Sequence, residues 1–146
     1  MTIRILFVFI GIMLYLSAVG QNEEDLIRHS IQNYFNGTAY NYVDQIEAAF
    51  HSEAVLYLET AEGGIRKMTS AEYIALFKNN EPGKFGGRYS KILSIDIEGN
   101  LALVKAEILM PGRNRRYIDV FIMRKMAADQ WKIVSKAANS SPIQKE

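Results

Sequence analysis

The stretch Arg115-Arg116-Tyr117-Ile118-Asp119-Val120-Phe121-Ile122-Met123-Arg124 decides the fold of this chain. Its β-branched and aromatic residues favour a strand. Both faces of that strand are apolar at its centre, except at Asp119. The stretch is therefore predicted to be the strand around which the chain is organised, with one acid in an apolar setting.

Two turns set the register of the strands around this stretch. Pro111-Gly112 predicts a turn that pairs Met110 with Arg115, since Pro presets φ at the second position and Gly tolerates positive φ at the third. Gly99-Asn100 predicts a tight hairpin with the preceding strand. Counting from these turns predicts that one face of three strands carries Leu93, Ile95, Ile97, Ala102, Val104, Ala106, Tyr117, Asp119, Phe121 and Met123. Asp119 is the only charge on this core face and faces small Ala106, which predicts a hollow with an acid in its wall.

The opposite face of the same strands is half polar. Its polar members are Ser94, Asp96, Glu98, Lys105 and Glu107, and its apolar members are Leu101, Leu103, Ile118, Val120 and Ile122. An apolar row of this kind is a liability on an exposed surface. We therefore expect a homodimer that associates through this outer face.

Composition excludes several classes of protein. The 146 residues are 49% hydrophobic and 23% charged, with a formal net charge of +1, which is typical of a globular domain with a real core. Such a balance gives no electrostatic reason to expect binding to nucleic acid or to an anionic membrane. With two His and no Cys, we expect neither a disulfide nor a metal site, and the sequence indicates no cofactor.

Residues 1–20 have the three parts of a secretory signal peptide. Arg4 supplies the positive region, 5–16 are apolar, and Ala18 and Gly20 place small residues at positions −3 and −1 before Gln21. A retained membrane anchor is the alternative, but the apolar stretch is short of the roughly 20 residues that span a bilayer. We expect an exported protein, periplasmic or secreted, whose single domain is 21–146.

The order of the predicted elements is typical of an α+β protein. A helix should begin at Glu23 and end at Asn36-Gly37, and a second should start at Thr38 or Asn41 and reach Phe50. Two short strands follow, at 54–59 and 65–68. A capping box formed by Thr69 and Glu72 then starts a third helix. The long strands come next, and Trp131 begins the last one.

The last strand has two possible registers. A symmetric turn from Lys125 to Gln130 would place Lys132, Val134 and Lys136 on the core face. The hydrophobic pattern favours Trp131 and Ile133 there instead. A one-residue bulge near Ala127-Ala128 would restore the second arrangement, which we favour.

Three motifs resemble the nuclear-transport-factor-2-like superfamily, also called SnoaL-like or cystatin-like. Residues 48–54 resemble its F-H-P-D-A segment, with Ser52 in place of Pro. Residues 117–122 resemble the aromatic-x-Asp-x-hydrophobic run of its "putative lumazine-binding" branch, and 130–134 resemble the final G-K-W-K-I strand. This resemblance implies a strongly curved antiparallel sheet wrapped around N-terminal helices, which leaves a conical pocket.

Asp119 is the first candidate for a functional residue. A buried carboxylate must be hydrogen-bonded or neutralised, so Asp119 is a catalytic acid or base, a ligand contact, or a structural group held by a Tyr hydroxyl or a backbone N–H. His51 would form a catalytic dyad with it, or would simply bond nearby backbone. Read as a pocket acid, Asp119 predicts that Asp119→Asn leaves the melting temperature level or raises it.

Aromatic residues are the other candidates. The predicted ligand-binding set is Asp119, Tyr117, Phe121, Tyr57, Tyr34 and Tyr73, although aromatics at these spacings also serve as plain core. The leading hypothesis is an exported protein that binds a small, partly apolar molecule. The alternatives are an isomerase or dehydratase that uses Asp119 with His51, which the resemblance implies, and a dimeric protein-interaction module.

Overall fold

A computed structural model describes residues 22–144, so the predicted leader lies outside the described residues. Helix α1 covers 22–40, and α2 (Val43–Ala49) and α3 (Ser70–Ala75) are short. The strands are β1 (Phe50–Glu59), β2 (Ile65–Thr69), β3 (Tyr89–Glu98), β4 (Leu101–Met110), β5 (Arg115–Lys125) and β6 (Trp131–Ser141). None of the helices in this range is long and apolar enough to cross a membrane.

The six strands form one curled sheet in the order β2-β1-β6-β5-β4-β3. All neighbours are antiparallel except β1 and β6, which run parallel. The predicted α+β class is confirmed, and the parallel pair makes the sheet mixed. The helices pack against the sheet, and the shared core contains Ile27, Ile31, Tyr34, Ile46, Leu56, Val104, Phe121, Met123 and Ile133, among others.

The register predicted for β4 and β5 is confirmed at every pair that the turn specified. Met110 pairs with Arg115, and Ala106 lies opposite Asp119. The turn itself differs from the prediction. Pro111–Arg113 form one turn of 3-10 helix, and the left-handed residue is Asn114 (φ 50°), not Gly112. Asn tolerates this conformation better than most residues, so the turn closes one position later without changing the pairing.

Strand β3 departs from the predicted register at one residue. Ile95 and Ile97 pair as predicted, but the register shifts between Ile92 and Ser94, so that Leu93 bulges out of the ladder. Ile92 therefore lies opposite Ala106, and Leu93 is 42% exposed. The prediction that Leu93 belongs to the core face is wrong, because a bulge reverses the inward–outward alternation beyond it.

Strand β6 changes its alternation twice. Lys125 pairs with Trp131, one residue beyond the symmetric turn, and Ala128 and Asp129 adopt positive φ in the connection. This extra turn residue confirms the predicted shift near Ala127-Ala128 and places Trp131 and Ile133 in the core. A second bulge, at Val134, lies between the pairs of Ile133 and Ser135. It turns Lys136 inward as well.

Helix α1 does not end at Asn36-Gly37, contrary to the prediction. It continues to residue 40, and Asn41 (φ 59°) follows it in the left-handed region. Gly37 is buried where α2 crosses: a Cβ there would lie 2.5 Å from Cγ1 of Ile46. The glycine therefore permits close approach of two helices. In a sequence, a glycine with this role cannot be distinguished from a glycine that ends a helix.

Candidate functional site

A buried ion pair lies at the centre of the candidate site. Lys136 Nζ is 2.9 Å from Oδ2 of Asp119, and the two residues are 3% and 1% exposed. Lys136 lies opposite Phe121, so the pair joins diagonal positions of β5 and β6. Asp119 is thus not the only charge on the core face. The bulge at Val134 supplies its partner.

Two tyrosine hydroxyls complete the surroundings of this ion pair. Tyr34 on α1 donates its hydroxyl proton to Oδ2 of Asp119 at 3.0 Å, and the Tyr73 hydroxyl lies 3.1 Å from that of Tyr34. Burial, followed by the charge of Asp119, raises the pKa of Tyr34 well above its ordinary value, so Tyr34 remains a donor. The Lys136 ammonium also lies 5.6 and 5.3 Å from the centres of the Tyr34 and Tyr73 rings.

The ion pair forms part of the wall of a pocket of about 190 Å³. We call this the inner pocket; its lining residues are Leu58, Glu59, Tyr73, Arg88, Met110, Arg113, Tyr117, Asp119, Lys136, Ala138 and Ser140. The walls combine apolar and aromatic surface with a few charged groups, as small-molecule sites do. Within residues 22–144, Oδ1 of Asp119 and Nε of Arg88 are buried without a hydrogen-bond partner.

A wider cavity of about 620 Å³ adjoins the inner pocket. Tyr73, Arg88, Met110 and Arg113 line both cavities, so these four side chains form the boundary between them. The outer cavity continues past Thr38 and Phe77 toward the loop that contains Glu81. The inner pocket consequently has an approach from the side of the loop between α3 and β3.

The structure brings three of the predicted site residues together in the inner pocket. Asp119, Tyr117 and Tyr73 line it. Tyr34 and Phe121 are fully buried and in ring contact with each other, at a centroid distance of 5.0 Å, so they support the site from behind. Tyr57 lies elsewhere: it is 43% exposed and pairs with Lys67 and Ala137 in the sheet.

His51 lies apart from Asp119. It lines another pocket, with Glu47, Ser70 and Lys78, and its Nδ1 accepts the backbone N–H of Glu53 at 3.2 Å. This local bond is the second of the two roles that the sequence left open for His51. The predicted dyad is not formed in the structure, because His51 and Asp119 line different pockets.

Sequence reasoning missed four charged residues of the inner pocket: Glu59, Arg88, Arg113 and Lys136. Lys136 had a signal, because one of the two registers considered for the last strand placed it on the core face. Arg88 had none: it follows Gly86-Gly87 in the irregular segment just before β3, where no periodicity assigns a direction to a side chain. Its side chain donates from Nη1 to Sδ of Met110 at 3.7 Å.

N-terminal helices against a curled mixed sheet, with a polar pocket between them, define the nuclear-transport-factor-2-like (NTF2-like) class. A protein of this class from Shewanella baltica superposes with a TM-score of 0.72 and 20% identity, over 84% of this chain and 96% of that one. One from Methylobacillus flagellatus gives 0.70 and 23%, over 82% and 93%. A cystatin-like fold protein from Burkholderia xenovorans gives 0.62 and 17%, over 82% and 95%.

Within this class the chain belongs to the family described as "Putative lumazine-binding", whose model matches residues 22–138. The resemblance seen in the sequence is thereby confirmed. No curated protein sequence matches the chain. These three structural likenesses are below 25% identity and establish the fold alone.

Proposed function

We propose that this protein binds a small, partly apolar molecule in the inner pocket. The observation that carries the proposal is the inner pocket itself. Its wall contains a buried ion pair and a carboxylate oxygen without a hydrogen-bond partner among the described residues, Oδ1 of Asp119. Its volume of about 190 Å³ is several times the roughly 30 Å³ of one water molecule. Leu58 and Met110 supply apolar wall, and Tyr73 and Tyr117 supply rings on which a flat molecule can pack.

Binding is favoured over the isomerase or dehydratase alternative by the partners of Asp119. A general base needs free access to the substrate proton. Here Lys136 and Tyr34 both contact Oδ2, while His51 lies in another pocket and cannot form the dyad. Asp119 is left with Oδ1 alone to accept a hydrogen bond from a ligand.

Native mass spectrometry of the protein purified from its own host tests the proposal. We expect a bound small molecule on the wild-type protein and a loss of it in Ala138→Leu, which fills the inner pocket. The matched control is Ala137→Leu, since Ala137 is the adjacent exposed residue of the same strand. Equal occupancy in wild type and Ala138→Leu would place the binding elsewhere and refute the proposal.

We also propose that two copies associate through the outer face of the sheet, and that the protein acts after export. Leu101, Leu103 and Ile122 are 47%, 48% and 41% exposed on that face, on neighbouring strands. Such a patch is suited to a second apolar surface. The export proposal rests on residues 1–20 of the sequence alone.

A further inference from the structure

The charges of the inner pocket are only partly matched by one another. Its lining contains three cationic side chains, Arg88, Arg113 and Lys136, and two carboxylates, Glu59 and Asp119. Asp119 is held by Lys136 and Tyr34, and Glu59 accepts from the backbone N–H and hydroxyl of Ser140 at 3.0 and 2.9 Å. Within the described part of the chain, neither arginine forms a salt bridge. Arg113 is exposed to solvent, whereas Arg88 is the guanidinium of the inner pocket that lies partly buried without a carboxylate at salt-bridge distance.

Arg88 is the more informative of these two groups. Its Nε is buried and has no acceptor among residues 22–144, and the only acceptor of its Nη1 is the weak thioether of Met110. A buried donor without a partner is costly, and a charged one more so. Because guanidinium presents paired N–H groups in a plane, the groups it binds best are carboxylates and phosphates.

Asp119, in contrast to Arg88, lacks a hydrogen-bond donor at one of its two oxygens. Its Oδ1 is buried without a donor in the same range, although Oδ2 has two. An ionised carboxylate accepts at both oxygens. An occupant of the inner pocket that satisfies both residues must present an acceptor to Arg88 and a hydroxyl or N–H donor to Asp119.

We infer that the ligand of the inner pocket is a small hydroxy- or amino-substituted carboxylic acid. The inference rests on the proposed function and specifies its ligand class. The carboxylate pairs with Arg88 at the boundary of the two cavities, where Arg113 adds positive charge at the exposed side. The donor group reaches Oδ1 of Asp119, and the body of the molecule packs between Tyr73 and the wall of Leu58 and Met110.

Matched acids and amides test this ligand class. We would measure binding of 4-hydroxybenzoate, lactate, 4-hydroxybenzamide and lactamide to the full mature chain by calorimetry and ligand-detected NMR. At least one acid should bind about tenfold or more tightly than its own amide, because only the acid pairs with guanidinium. Equal binding of acid and amide, or binding of neither acid, would overturn the inference.

Variants assign the preference to Arg88. Arg88→Met keeps an unbranched stem beside Met110 and should bring the acid-to-amide ratio close to one. Arg88→Lys keeps a charge without Nε and should give an intermediate ratio. The control is Arg124→Met, an exposed arginine of β5 outside both cavities, which should keep the wild-type ratio. A folded Arg88→Met protein with the wild-type ratio would contradict the assignment.

The donor to Asp119 has its own test. Benzoate lacks the hydroxyl of 4-hydroxybenzoate and should bind the wild-type protein several-fold more weakly; equal affinity would contradict the contact with Oδ1. Failure of the inference is separable from failure of the proposed function. Amides that bind as well as acids, and lose binding in Ala138→Leu, would leave the pocket a binding site for neutral molecules.

Discussion

Asp119 and Lys136 depend on one another, because each carries a charge that the core would otherwise leave unpaired. Removing two charges from water is expensive, and their mutual attraction recovers that cost only with good geometry and additional hydrogen bonds. Here the additional partners are the hydroxyl of Tyr34 and the two tyrosine rings near the ammonium. The sequence-based expectation that Asp119→Asn is harmless therefore changes once Lys136 is known.

We predict that Asp119→Asn lowers the free energy of unfolding by about 3 kcal/mol, the scale on which breaking a buried ion pair destabilises a protein. Lys136→Met should lower the free energy of unfolding by a similar amount, because it leaves the buried Asp119 carboxylate without its cation. The double variant Asp119→Asn/Lys136→Met should lose less unfolding free energy than the two single variants lose together. Urea titrations of all four proteins form the cycle, and additive losses would show that the pair is not coupled.

At the scale of elements, one close contact joins two helices and another joins three strands. One is Gly37, against which Ile46 of α2 packs. The other is a charge cluster on the outer face, where Glu107 of β4 joins its two neighbouring strands. Its Oε2 lies 2.8 Å from Nζ of Lys91 on β3, and its Oε1 lies 2.6 Å from Nε of Arg116 on β5.

Gly37→Ala should destabilise the protein despite alanine's higher helix propensity. The added methyl would overlap Ile46, and overpacking typically costs about 1–3 kcal/mol, against about 1 kcal/mol gained in propensity. Gly112→Ala is the control, since a Cβ there meets no described atom within 4 Å. Thermal unfolding should show a lower melting temperature for Gly37→Ala and little change for Gly112→Ala. The reverse ranking would mean that α2 can move away from α1.

The Glu107 cluster predicts a pH-dependent contribution to stability. Hydrogen bonds from Lys91, and then from Arg116, lower the pKa of Glu107 below its ordinary value of 4.5. A depressed carboxyl pKa contributes stability above that ordinary value, and this stability is lost as the pH falls through the lowered pKa. At neutral pH, the free energy of unfolding of the wild-type protein should exceed that of Glu107→Gln by about 1 kcal/mol. The difference stays small because both cations are partly exposed.

Denaturant titrations from neutral to acidic pH measure this difference. It should shrink steadily below the ordinary carboxyl pKa, because protonated Glu107 resembles Gln. Asp96→Asn, at an exposed acid on β3, serves as the control and should differ little from wild type throughout. A difference between wild type and Glu107→Gln that does not vary with pH would argue for packing as its cause.

Turn chemistry made much of the sheet predictable, and bulges limited the prediction. Pro111 and the Gly99-Asn100 pair fix the positions of two turns between antiparallel strands. The residues opposite Asp119 and Phe121 could therefore be predicted by counting from those turns. The bulges at Leu93 and Val134 have no comparable signature, because they depend on how the whole sheet twists. The candidate site was predictable only as far as Asp119 and its tyrosines, since Lys136 depends on a bulge and Arg88 on a loop.

At the scale of the whole molecule, the outer face predicts self-association. Val120→Lys should break a dimer, because it introduces a charge into the middle of the apolar row formed by Ile118, Val120 and Ile122. Leu76→Lys is the control: Leu76 is 54% exposed but follows α3, away from that row. Light scattering coupled to gel filtration should give dimers for wild type and Leu76→Lys and monomers for Val120→Lys. A monomeric wild type at high concentration would refute the proposal.

The leader supplies the other prediction at this scale. N-terminal sequencing of the exported protein should begin at or near Gln21, since Ala18 and Gly20 fit the small-residue requirement of a cleavage site. Replacing Gly20 by a bulky residue should slow this processing, whereas the same change at Thr2 should not. An intact Met1 in a membrane fraction of the host would show that residues 1–20 are retained.

The bulge at Val134 also bears on how sequences of this family are aligned. Met123 pairs with Ile133 and Ile122 with Ser135, so Val134 is one residue more than the ladder with β5 requires. A relative without that residue would keep Lys136 opposite Phe121 and aimed at the same acid. A one-residue gap inside a strand normally signals an error in an alignment. At Val134, such a gap would leave the ion pair unchanged.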